Sequence, residues 1–193
     1  GLIITFSGQA VRAATIGLAY IVRGGKDKKV YAENLVTEGI FNHCRNPLYV
    51  GNILMLLGVG ILSNSLIYTA GVMPVFLFIY QAIVLAEENF LRNKFGEQFN
   101  MYCKRVSRWQ INLRGIGKTF RSMRFNVKRW ILKEYNTQFV WLCGIAAIIL
   151  LKYPNLYQND SEFGNTLLIL VIVFLGLCYG FIRYLKKSGK MVE

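Results

Sequence analysis

Long apolar runs separated by short polar breaks dominate the chain. A helix that crosses a bilayer needs about 20 mainly apolar residues. Five stretches meet or approach that length: residues 1–22 (interrupted by Arg12), 48–62, 66–86, 139–153 and 164–184. The second and fourth are short, so they are expected to lengthen at their ends or to tilt against neighbours. Ser63, Asn64 and Ser65 separate the second stretch from the third, which predicts a tight antiparallel hairpin. The expected fold is all-α, a polytopic membrane bundle of about five transmembrane helices with an added basic interfacial helical segment. The expected organisation is a membrane core over 1–108, the basic segment over 109–135, and two further transmembrane helices with a basic tail over 136–193. The chain starts with Gly inside an apolar run, and an earlier membrane helix is expected to be missing.

Composition supports the membrane reading. Of 193 residues, 54% are hydrophobic and 17% charged, below the roughly 25% charged of an average soluble domain. A chain this apolar is not disordered. Lys and Arg number 23 against 10 Asp and Glu, a net charge of +13. Such an excess usually signals nucleic acid or an anionic membrane surface, and the apolar runs decide for the membrane. Alternating five spans collects all the basic residues except Arg12 and Lys152 on one side. The opposite side carries Asp160 and Glu162. The positive-inside rule then assigns the basic side to the cytoplasm. Between Lys104 and Lys133, Arg and Lys interleave with Trp109, Phe120, Phe125 and Trp130. Beside a membrane, that pattern predicts an interfacial helix on anionic lipid rather than a nucleic-acid surface. The four cysteines, Cys44, Cys103, Cys143 and Cys178, show no C-x-x-C spacing. They are expected to be free thiols, with no metal site.

Polar residues at the membrane boundary are costly and ask for a reason. They concentrate in residues 34–51 and 87–102, at the same end of the expected hairpin. Pro47 suits the first turn of a helix, where a missing N–H costs nothing. Arg45 and Asn46 then stand just outside that helix N-terminus, a place that favours an anionic or carbonyl ligand. Gly51 permits close approach of a ligand or a neighbouring helix. Gly51 and Gly58 share one face, which points to small-residue helix packing. Glu87 and Glu88 end the next helix, where both the helix dipole and the bilayer disfavour carboxylates. Glu88 has Arg92 at i+4 as an ordinary partner, whereas Glu87 has no local one. Such an acidic pair suits a ligand with hydroxyl and amino donors. His43, the one histidine, is expected to be incidental in its loop.

These residues carry a resemblance. The segment L-V-T-E-G-I-F-x-x-x-R-N-P-L-Y-V-G-N, starting at Leu35, is followed by the hairpin and then by E-E-x-x-L-x-x-x-F-G-x-x-F-x-x-Y, starting at Glu87. Together they resemble the isoprenylcysteine carboxyl methyltransferase and phospholipid methyltransferase superfamily of integral membrane enzymes, over about residues 35–108. The resemblance implies S-adenosylmethionine as cofactor, held in a pocket on the cytoplasmic side of a multi-pass protein. The implied cofactor contacts are Leu35, Val36, Gly39, Asn46, Pro47, Tyr49, Glu87 and Glu88. The implied catalytic pair is Arg45 and Glu87, with Arg45 orienting an acceptor carboxylate or phosphate. Asn46 stands where the superfamily usually has His, and an amide cannot act as a base. The expected acceptor is lipid-like or prenylated, with carboxylate O-methylation slightly favoured, because a carboxylate needs no base to become nucleophilic. A membrane reductase of the sterol reductase type using NADPH, and a non-catalytic membrane scaffold, are the alternatives.

Overall fold

The computed structural model describes residues 1–19, 34–157 and 160–191. Among them the chain is all-α, with no strands. The helices are α1 (Leu2–Leu18), α2 (Pro47–Leu62), α3 (Met73–Phe95), α4 (Glu97–Arg105), α5 (Ile116–Ser122), α6 (Val127–Lys152) and α7 (Ser161–Lys187). Short 3-10 turns lie at Gly39–Asn42 and Pro154–Tyr157. The end of the first expected span, and the basic residues Arg23, Lys26, Lys28 and Lys29, fall outside the described residues.

Among the described residues, three helices are long and apolar enough to cross a membrane: Tyr68–Phe95, Val127–Lys152 and Ser161–Lys187. The expected set of five is corrected in its lengths. α1 and α2 are apolar with 17 and 16 described residues, at or just under the short end of the roughly 17–25 residues of a span. The fourth stretch lengthens instead, running back to Val127 for 26 residues. Its first turns carry Lys128, Arg129 and Lys133. Long cationic side chains keep their stems on apolar surface and their heads in water, so such a turn can continue an apolar helix. The basic stretch 104–133 is therefore shared among the end of α4, the short α5 and the start of α6.

The chain forms two compact units, Gly1–Gly60 with Ser65–Asn126, and Ile61–Asn64 with Val127–Glu193. In the first unit, glycines let α1 and α2 cross at backbone contact. A Cβ on Gly58 would lie 2.4 Å from the Thr5 nitrogen, and one on Gly51 would lie 2.8 Å from the Gly8 oxygen. The Thr5 hydroxyl donates to the Met55 carbonyl at 3.2 Å across the same contact. Gly51 and Gly58 thus serve helix packing.

The turn through Ser63 and Asn64 reverses the chain as the hairpin requires, with Asn64 at φ 46°. Residues Tyr68–Val72 then form one π-helical turn before α3. Pro74 lies just beyond it, and proline cannot supply the N–H of an i→i−4 bond. The α3–α4 corner turns at Gly96, φ 52°, a left-handed φ that suits glycine. Phe99, Tyr102 and Val106 are buried there, with Leu35, Leu91, Phe95 and Cys103 packed against them. The F-G-x-x-F-x-x-Y pattern is thus the core of a corner.

In the second unit α6 and α7 run antiparallel. Tyr179 packs on Tyr135 and Phe139, with ring centroids 5.2 and 5.0 Å away. Lys186 Nζ donates to the Leu132 carbonyl at 3.3 Å. Asp160 caps α7 by accepting from the backbone N–H of Glu162 and Phe163, both at 3.0 Å.

Candidate active site

The hairpin brings the start of α2 beside Glu87 and Glu88 of α3, and the expectation that these acids end their helix is corrected, because α3 continues about two turns beyond them to Phe95. Pro47 starts α2 and is fully buried. The Asn46 carbonyl accepts the Val50 N–H at 3.1 Å, the first bond of that helix. Tyr49, in the first turn, donates its hydroxyl to Glu87 Oε1 at 2.7 Å. Its ring also lies against Tyr80 of α3, centroid to centroid 5.5 Å. Glu87 therefore does have a partner, supplied by the other helix of the hairpin.

Glu88 is 4% exposed, and its compensation comes from outside its own helix. Arg108 grips it with two prongs, Nε to Oε1 at 3.0 Å and Nη2 to Oε2 at 2.8 Å. Arg45 Nη1 lies 3.2 Å from the same Oε1. A carboxylate offers about four acceptor positions, so these three contacts nearly saturate Glu88. The local i+4 pairing with Arg92 is replaced by two arginines from distant loops. Burial of a charge demands such partners.

Arg45 is the pivot between the walls. Its backbone N–H donates to the Ser107 carbonyl at 2.9 Å. Its Nη1 also lies 2.6 Å from Cys103 Sγ. Its Nε is buried and has no hydrogen-bond partner among the described residues. That orphan donor is a natural contact for an incoming acceptor atom. Asn46 is 8% exposed and donates Nδ2 to the Arg108 carbonyl at 3.3 Å. It does the work of a helix-end bracket, which an amide performs as well as an imidazole.

Other expected site residues stand further back. Leu35 packs on the Phe99–Tyr102–Val106 cluster. Gly39 is buried at φ 60°, and a Cβ on it would lie 3.3 Å from Met123 Sδ. Val36 is half-buried in the segment between them. The structure brings Arg45, Asn46, Pro47, Tyr49, Glu87 and Glu88 together, and places Leu35 and Gly39 in the packing behind the turn.

Several residues of this region were not expected from the sequence to take part in its bonding. Arg108 looked like one cation in a basic run. Arg12 is 3% exposed inside α1, and its guanidinium donates to the Asn52 side chain on α2. Trp109, expected at a lipid interface, donates Nε1 to Gln81 Oε1 on α3 at 3.2 Å. His43 is 4% exposed and fully engaged, with Nδ1 at 2.6 Å from the Asn112 carbonyl and Nε2 at 2.8 Å from Thr119 Oγ1. A carbonyl only accepts, so Nδ1 carries the proton, and His43 braces the loop before α5 through Asn112 and α5 itself through Thr119. Cys44 is fully buried, and burial pushes its thiol above the usual range. The Tyr102 hydroxyl donates to the Phe41 carbonyl at 2.7 Å, and burial raises its pKa strongly.

The fold and the site together define a helical membrane protein whose polar constellation stands at one end of an apolar hairpin. Residues 11–98 match the model of the phospholipid methyltransferase family, in line with the resemblance of the chain to the isoprenylcysteine carboxyl methyltransferase and phospholipid methyltransferase superfamily. Two curated proteins are similar. The cobalt-zinc-cadmium resistance protein CzcN of Cupriavidus metallidurans is 36% identical over 108 residues, covering 54% of this chain and 47% of that protein. The nickel-cobalt-cadmium resistance protein NccN of Alcaligenes xylosoxydans xylosoxydans is 31% identical over 107 residues, with the same coverage. The chain thus spans about half the length of the curated relatives it matches. No solved structure matches the chain.

Proposed function

We propose that the chain transfers a methyl group from S-adenosylmethionine to a lipid-like or prenylated acceptor at the cytoplasmic face of a membrane. The observation that carries this reading is the meeting of the α2 turn with the α3 acids, through Tyr49 on Glu87 and Arg45 on Glu88. The family match over 11–98 supports methyl transfer over nicotinamide-dependent reduction. The orphan Arg45 Nε supports a ligand with an acceptor group at this point.

When bound, S-adenosylmethionine supplies a methyl group already activated on a sulfonium. The chain's residues then have to bind, orient and exclude water. Glu87 accepts hydrogen bonds from hydroxyl or amino donors of the cofactor, in a geometry held by Tyr49. Glu88 lies beside it in the pocket wall, with Asn46, Pro47, Tyr49, Leu35, Val36 and Gly39 shaping the rest. Arg45 pairs with an anionic group of the acceptor. A carboxylate acceptor is nucleophilic as it stands. An ammonium acceptor would first have to lose a proton, and neither Asn46 nor the braced His43 suits that task. Carboxylate O-methylation is therefore the favoured reaction.

The basic stretches fit the same placement. Their Lys and Arg suit an anionic cytoplasmic leaflet and keep the site at the membrane surface. Purified protein in detergent is expected to bind S-adenosylhomocysteine in the micromolar range by calorimetry. Glu87→Gln is expected to weaken that binding at least tenfold without lowering the thermal midpoint. Unchanged affinity in the variant removes Glu87 from the cofactor site.

A further inference from the structure

The segment 107–109 touches both walls of the site at once. The Ser107 carbonyl receives the Arg45 N–H at 2.9 Å. The Arg108 carbonyl receives Asn46 Nδ2 at 3.3 Å and the Cys44 thiol at 3.5 Å. These bonds tie the segment to the turn before α2. On its other side, the Arg108 guanidinium holds both Glu88 oxygens, and Trp109 donates to Gln81. These bonds tie it to α3. The carboxylate of Glu88, 5% exposed in its side chain, is then shared between Arg108 and Arg45.

This sharing has a mechanical consequence. With Arg108 filling two acceptor positions of Glu88, Arg45 can reach only one oxygen and by only one of its nitrogens. The Arg45 Nε is left buried and without a hydrogen-bond partner among the described residues. Without Arg108, an arginine beside a buried carboxylate would turn to make the two-pronged pair itself. Its free donors would be consumed, and its tilt towards the site lost.

We propose that Arg108 is a positioning residue for this site, acting through Glu88 to hold Arg45 in its one-pronged, ligand-ready orientation, and that 107–109 is a strap fixing the turn against the acids. The proposal rests on the methyltransferase reading above. It assigns Glu88 the role of keystone between two arginines and leaves Glu87 as the acid that meets the cofactor.

The test is a set of S-adenosylhomocysteine affinities measured by calorimetry on the full chain in detergent, well below each variant's thermal midpoint. Arg108→Ala is expected to weaken binding five- to tenfold. Glu88→Gln is expected to lose a similar amount, and the double variant less than twofold more than either single one, because both act through one contact. Arg108→Ala combined with Glu87→Gln is expected to lose the full product of the two effects. Arg108→Lys keeps the charge without the fork and is expected to fold and to bind about threefold more weakly, which keeps the test open if the alanine variant is unstable. A merely structural role would lower the midpoint while the folded protein bound as tightly as wild type, and that result overturns the proposal. Full multiplication of the Arg108→Ala and Glu88→Gln losses also overturns it, since each would then act on the ligand separately. If the wild-type chain binds no S-adenosylhomocysteine, the methyltransferase reading fails and this role fails with it. If the wild type binds and both Arg108→Ala and Arg108→Lys bind as tightly as it does, only the positioning role is overturned.

Discussion

Glu88 and Tyr102 show how single polar side chains are accommodated here. Glu88 is buried and charged because two guanidiniums meet it, and losing one partner of such a cluster typically costs about 3–5 kcal/mol. Tyr102 is buried and neutral. Its hydroxyl donates to the Phe41 carbonyl, and its ring closes the α3–α4 corner with Phe99, centroids 6.2 Å apart. Burial lifts its pKa well above the usual 10, so the folded state keeps a proton that the unfolded chain releases in alkali. The resulting stability is complete below pH about 10 and is lost as the pH rises beyond that value. Tyr102→Phe is expected to cost about 1 kcal/mol at neutral pH, the net worth of one hydrogen bond. It is also expected to flatten the fall of the thermal midpoint above pH about 10. An unchanged alkaline slope in the variant would show that other groups set it.

At the scale of elements, the contact between α1 and α2 is where the hairpin gains its third helix. The two backbones approach because Gly8, Gly51 and Gly58 lack a Cβ. The atoms facing Gly58 are mostly backbone, the Thr5 nitrogen at 2.4 Å and the Gly1 oxygen at 2.8 Å from an added Cβ. Neither can swing aside as a side chain can. Gly58→Ala is therefore expected to destabilise the protein by about 1–3 kcal/mol, the usual range for overpacking. Gly176→Ala is the control, since an added Cβ there has nothing within 4 Å. Helix propensity alone favours alanine by about 1 kcal/mol, so its thermal midpoint should hold or rise. Equal effects of the two substitutions would mean that the crossing does not depend on the absent side chain.

At the scale of the whole molecule, the sequence displayed some things openly and hid others for physical reasons. Apolar period and length revealed every long helix, because burial in lipid needs an unbroken apolar run. Pro47 marked the start of α2, and the reversing hairpin put Arg45 and Glu87 at one end. The length of α6 was hidden because Lys128, Arg129 and Lys133 resemble a polar loop while remaining good helix formers. Arg108 was hidden for a related reason. Its charge is the same as that of its many basic neighbours, and only the geometry shows which one reaches Glu88. His43 gave no signal because its partners, Asn112 and Thr119, are about seventy residues away in sequence. Interactions set by local pattern were legible, and those set by loop closure were not.

The central claim is that the α2 turn and the α3 acids form one cofactor cavity. Ultraviolet cross-linking of radiolabelled S-adenosylmethionine to the full chain, followed by mapping of the labelled peptides, tests it most directly. The account predicts label on peptides holding residues 45–51 or 87–108, abolished by excess S-adenosylhomocysteine. Label confined to α6 and α7, or none above a denatured control, would contradict it.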